Sequence, residues 1–141
     1  LDAQHLLWKL FNGYTMNPKI PVYPGMRIAE IGTGTGLVLS PYFNSTFKFD
    51  CANIIFRTWL LDLASQLPQT VRLEGYDLSD GQFPHKSVLP ANVSLNTLNA
   101  FKDVPLELVE KYDVVHLRFW CCVVKHNNPI GLIQHAMKLL S

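Results

Sequence analysis

Apolar residues in this chain come in short blocks whose spacing switches between helical and strand-like. Ala3, Leu6, Leu7, Leu10 and Phe11 form one stripe at helical intervals, predicting a helix over residues 3–11 capped by Asp2. Three prolines and two glycines within residues 12–25 predict a loop. Arg27–Ile31 reads as a buried strand, and the helical spacing returns over Trp59–Gln66. A second strand is expected over residues 71–76, ending at Asp77, followed by a loop over 81–90 and a third strand over 93–98. Asp103 is placed to cap a short helix through Lys111, and residues 112–117 read as a fourth strand centred on Val114 and Val115. Asn128 and Pro129 mark a last helix start, with Ile130, Ile133, Met137 and Leu140 as its apolar stripe and Lys138 in its last turn. Strands alternating with helices or long connections predict an α/β fold with a mostly parallel sheet.

Length and charge narrow the classes. At 141 residues, 48% of them hydrophobic, the chain suits one domain with a packed core. The net charge of +1 and the scattered basic residues make nucleic acid an unexpected partner. No apolar run reaches the ~20 residues of a membrane span, and no polybasic anchor is present. Three cysteines, two of them adjacent at Cys121 and Cys122, suit a reducing compartment rather than a disulfide framework, so a cytoplasmic protein is expected. The glycosylation-type triplets at Asn44 and Asn92 are then incidental.

The most informative stretch is MRIAEIGTGTG, residues 26–36. A strand runs into glycines at every second position, Gly32, Gly34 and Gly36, where the backbone turns sharply and a ligand can lie against it without meeting a Cβ. A dinucleotide fingerprint would need its third glycine where Leu37 stands, and a P-loop would need a Gly-Lys-Ser/Thr ending. The pattern E-x-G-x-G-x-G resembles motif I of class I S-adenosylmethionine (SAM) methyltransferases. Asp77 adds to this from its position alone, since a carboxylate at the carboxyl end of a strand, before a polar turn, suits a diol. A turn-forming aspartate is the plain alternative.

The match extends over LDAQHLLWKL, IAEIGTGTG, WLLDLASQLP, LEGYDLSDGQFP, LPANVSLNTLNAF and YDVVHLRF. Together these resemble the fungal secondary-metabolism branch of class I methyltransferases, the group of gliotoxin N-methyltransferase-like enzymes. The resemblance implies a Rossmann-like core with strand order 3-2-1-4, SAM as cofactor and a small-molecule methyl acceptor. It implies that Glu30 faces the methionine amino group and that Gly32, Thr33, Gly34 and Gly36 form the loop under the cofactor. Asp77 would take the ribose hydroxyls, Leu78 would pack near the adenine, and Asn99 and Ala100 would meet the adenine amino group. Asn99 departs from the family's usual Asp, keeping an acceptor and losing the charge. His116 and Arg118 would end the fourth strand beside the cleft, and the amino-terminal segment with His5 and Tyr14 would cap it.

Two features depart from that family. A cofactor loop of this kind should open directly into a helix, yet residues 37–58 intervene before WLLDLASQ, and Asp77 lies about twice the usual ~20 residues beyond the glycines. Removing roughly 22 residues restores the spacing. Residues 37–58 therefore read as an insertion, expected to be a translated intron; a genuine lid carrying Phe43, Phe47, Phe49 and Phe56 is the alternative. The family also continues past a helix like residues 130–141 into a fifth strand and a closing hairpin, so the domain is expected to be partial, with an exposed fourth-strand edge and an incomplete acceptor pocket.

No catalytic residue is assigned. Methyl transfer asks the protein mainly for position and a dry cavity; His116 is a candidate base, with a structural role as its alternative. His116, Cys121, Cys122 and His126 lack zinc-ligand spacing, so no metal is expected. Phe119, Trp120, Val123 and Val124 read as packing, as does Trp8. The rival classes are a non-catalytic pseudoenzyme, a LaeA-like regulatory protein (nuclear in that case) and, against the glycine spacing, a nicotinamide oxidoreductase. The acceptor and the oligomeric state are not legible.

Overall fold

A computed structural model of the protein describes residues 2–34, 59–81, 83–118, 120 and 123–141. In chain order the main elements are α1 (Asp2–Asn12), β1 (Arg27–Ile31), α2 (Trp59–Gln66), β2 (Arg72–Asp77), β3 (Val93–Thr97), β4 (Val114–Leu117) and α3 (Ile130–Leu139). The four strands pair in the order β3-β2-β1-β4, all parallel. This is the expected α/β architecture and strand order. β1 lies in the middle because residues 28–31 are buried on both faces, as a central parallel strand requires.

Alternation along the strands divides the core in two. Ile28 and Leu73 point to the face covered by α2, where they pack with Trp59, Leu60, Leu63, Val71 and Val93. Ala29, Ile31 and Tyr76 point to the other face and meet Leu108, Tyr112, Leu132 and Leu139. Asn92 is buried and its side-chain amide donates to the Val71 carbonyl at 3.0 Å, a structural role. Asn44, residues 37–58, Cys121 and Cys122 lie outside the described residues.

Three expectations are corrected. The helix expected from Asp103 to Lys111 is only a single 3₁₀ turn at Leu106–Leu108. Pro105 disfavours helical geometry at Val104, and Glu110 adopts a positive φ of 50°. In α3 the stripe Ile130, Ile133, Met137 and Leu140 is exposed, and Leu132, His135, Ala136 and Leu139 are buried instead. The helix is apolar on more than one face, and the Leu139 carbonyl accepts the Lys111 and Tyr112 amides, both at 2.9 Å, which turns the Leu139 side inward. On α1, Leu7, Leu10 and Phe11 are 53%, 79% and 87% exposed. Two polar groups of that helix, His5 and Lys9, both reach Asp62 of α2.

A polar knot ties β2 to the chain entering β4. Glu74 Oε2 accepts from the Tyr112 hydroxyl at 2.7 Å, from Lys111 Nζ at 2.9 Å and from the Tyr76 hydroxyl at 2.9 Å. Arg27 approaches Oε1 at 3.2 Å. Burial alone would raise the Glu74 carboxyl, but the bonds from Lys111, Tyr112 and Tyr76 outweigh it and hold the group at about 2. Burial pushes the Tyr76 hydroxyl up to about 12. Because the folded value of Glu74 lies below its ordinary 4.5, its contribution is complete above pH 4.5 and disappears as pH falls toward 2. Glu74→Gln should therefore cost about 1.5–3 kcal/mol near neutral pH and flatten the acid slope between pH 4.5 and 2, as read by urea denaturation across that range.

Candidate functional site

The loop leaving β1 is shaped by contacts to its neighbour strand. The Gly32 and Thr33 amides both donate to the Tyr76 carbonyl, at 2.8 and 2.9 Å. The Gly34 amide then reaches across to Asp77 Oδ2 at 2.8 Å, while Asp77 Oδ1 accepts the Leu78 amide at 2.7 Å. Gly32 has a φ of 74°, and a Cβ there would sit 2.8 Å from the Trp120 ring. Glycine is required on both counts. The Trp120 indole is itself fixed by donating to the Ile31 carbonyl at 3.0 Å, and it meets Phe101 edge-on at 5.7 Å.

These elements enclose a cavity of about 400 Å³ at the carboxyl ends of the strands, the position where open parallel sheets bind ligands. Glu30, Gly32, Thr33 and Gly34 line it from β1 and its loop, and Asp77 and Leu78 from the end of β2. Asn99 and Ala100 follow β3, and Arg118 and Trp120 follow β4. Asn99 accepts the Phe101 amide on its side-chain oxygen at 3.0 Å, which fixes the turn that brings Ala100 inward. A wider depression of about 630 Å³ adjoins this cavity through Ala100 and Phe101, between residues 100–104 and α3.

Eight of the residues singled out in the sequence are thus brought together: Glu30, Gly32, Thr33, Gly34, Asp77, Leu78, Asn99 and Ala100. Gly36 lies outside the described residues. His116 does not line the cavity. It pairs in register with Glu30, but its ring stacks on Trp59 at 3.8 Å and 7°, on the α2 face of the sheet. Burial, with the Arg118 charge nearby, holds it down at about 4, and its Nε2 is enclosed without a hydrogen-bond partner among the described residues. Trp120 and Phe101, which sequence alone assigns to packing or leaves aside, line the cavity; nothing in a linear pattern separates a packing tryptophan from one against a ligand.

Glu30 is the unusual group. Its side chain is only 2% exposed and accepts from the Thr33 hydroxyl at 2.7 Å. Burial raises its carboxyl to about 7, offset in part by the Thr33 bond, the Arg118 charge and the Leu60 amide. A buried carboxylate at this value can be stabilised by an incoming cation.

Arg118 is held from behind. Its Nη1 lies 2.9 Å from His5 Nδ1, and His5 Nε2 lies 3.0 Å from Asp62 Oδ2. Asp62 also accepts from Thr15 Oγ1 at 2.9 Å and pairs with Lys9 Nζ at 2.8 Å. Burial would raise Asp62, but the bonds from Lys9, His5 and Thr15 bring it to about 2.

Three fungal proteins are similar to this chain. N-methyltransferase tcpN of Claviceps purpurea is 31% identical over 121 residues, covering 84% of this chain and 36% of that protein. N-methyltransferase verN of Clonostachys rogersoniana is 34% identical over 62 residues, covering 44% of this chain and 22% of that protein. Methyltransferase grgD of a Penicillium species is 25% identical over 122 residues, covering 85% and 37% respectively. The chain therefore spans at most 37% of the length of the curated relatives it matches. No protein-family model matches it.

Two outcomes follow from the cavity's geometry. Glu30 has a folded value above its ordinary 4.5, so its contribution to stability is complete below pH 4.5 and is lost as pH rises through about 7. Glu30→Gln should remove that fall, measured by urea denaturation at pH 5 and pH 8. Gly32→Ala should cost about 1–3 kcal/mol in the same assay, from positive φ and collision with the Trp120 ring.

Proposed function

We propose that this chain carries the cofactor-binding part of an S-adenosylmethionine-dependent methyltransferase that acts on a small molecule of fungal secondary metabolism. The observation that carries the proposal is the Asp77 carboxylate at the cavity wall, fixed by the Gly34 and Leu78 amides beside a bare glycine turn. Each carboxylate oxygen has lone-pair capacity beyond its one amide, which suits the two hydroxyls of a ribose. Gly32 leaves room for the Trp120 ring to lie against the turn at the cavity wall. Glu30, buried and raised to about 7, fits an ammonium group, which would be paired on binding.

Held by Glu30, the glycine turn and Asp77, the cofactor would supply a methyl group activated on a sulfonium, with a neutral leaving group. The residues of this chain hold the nucleoside and orient it, and Trp120, Phe101 and Leu78 exclude water along it. Nitrogen is the favoured acceptor atom, because two of the similar proteins are named N-methyltransferases, with oxygen as the alternative. The stacking of His116 on Trp59 and its value of about 4 support a structural role rather than that of a base.

Calorimetric titration with S-adenosylhomocysteine tests the proposal. The chain should bind it in preference to nicotinamide dinucleotides, and Asp77→Ala should weaken binding about 10- to 100-fold, as expected when charged hydrogen bonds worth about 1.5–3 kcal/mol are lost. Absence of binding, preference for a nicotinamide dinucleotide, or an Asp77→Ala variant that binds as well as the parent would overturn it.

A further inference from the structure

Arg118 is the one described cation on the cavity wall, and His5 contacts it from outside the cavity. A guanidinium only donates, so His5 Nδ1 must be the acceptor of the 2.9 Å contact. The proton of the neutral ring then sits on Nε2, where it donates to Asp62 Oδ2 at 3.0 Å. His5 is 1% exposed, and Asp62 is locked in turn by Lys9 and Thr15. The result is a relay, Asp62–His5–Arg118, that joins α1 and α2 behind the cavity. It is one attachment of α1, whose Leu7, Leu10 and Phe11 face outward.

We propose that His5 is a positioning residue: backed by Asp62, it aims the Arg118 guanidinium at a carboxylate on the cavity's ligand. A guanidinium carries five N–H donors, enough to serve His5 and a carboxylate together. Glu30 and Arg118 then form a complementary pair for the ammonium and carboxylate of an α-amino acid. The proposal rests on the cofactor reading above, because a nucleoside joined to an amino acid is the ligand that would use both. Occupancy of the cavity and docking of α1 become coupled, since each stabilises the same orientation of Arg118.

Calorimetry on the full chain with S-adenosylhomocysteine and with methylthioadenosine, which keeps the nucleoside and lacks the amino-acid end, tests this. His5→Phe retains a ring and removes both nitrogens; it should lower the preference for S-adenosylhomocysteine about tenfold and leave methylthioadenosine affinity unchanged. His5→Gln, whose amide offers an acceptor and a donor at similar separation, should restore the preference. A His5→Phe variant with the parental preference, or one that loses both ligands equally, overturns the proposal. Nitrogen-15 NMR of the unaltered chain should show His5 protonated on Nε2 and bare on Nδ1; a proton on Nδ1 overturns the relay whatever the variants do. An unaltered chain that takes neither nucleoside overturns the cofactor reading and this proposal with it. Equal affinity for both leaves the cofactor reading standing and overturns this proposal alone.

Discussion

The tie between the β1 loop and the end of β2 is the constraint on which the rest of the site depends. Parallel pairing sets Ile31 opposite Tyr76, and the chain then has no more strand partners to use. Its next amides are satisfied by the Tyr76 carbonyl and by Asp77. Buried amides must find acceptors, so these bonds hold the loop open as a cradle instead of letting it collapse onto the sheet. Trp120 closes one side against Gly32, where a side chain has no room.

Three enclosed carboxylates illustrate how environment divides roles among chemically similar groups. Glu74 and Asp62 each gather several donors, and the bonds overcome the cost of burial. They act as fasteners, one joining β2 to the chain before β4, the other joining α1 to α2. Glu30 is more deeply buried and has fewer donors, and burial prevails. The fasteners are each paired with a lysine, whereas Glu30 on the cavity wall is left with its burial under-compensated.

The apolar faces of α1 and α3 that remain exposed mark where packing is incomplete among the described residues. Which side turns inward is settled by polar and backbone bonds, Asp62 for α1 and the Leu139 carbonyl for α3. Similar proteins from fungi extend well beyond the length matched here.

Much of the sheet was legible because its strands are short, apolar and punctuated. Arg27–Ile31 and Trp59–Gln66 are bounded as their patterns imply, and the glycines, Asp77, Asn99 and Ala100 follow strand ends, which in a parallel sheet converge on one edge. Local patterns were insufficient where two solutions had similar apolar content, as on α3, or where one residue overrode the rest, as at Pro105. His116 was misleading for a simpler reason: strand alternation sends it to the α2 face with Val114, one position out of step with Val115 and Leu117. The relay from Asp62 through His5 to Arg118 was beyond any pattern, since His5 and Arg118 stand 113 positions apart. Sequence determined the elements, their order and the bare turn, because those follow from spacing and backbone freedom. Only the tertiary structure decided which carboxylates are compensated and which arginine faces the cavity, because burial and charge pairing arise between segments that the chain itself keeps far apart.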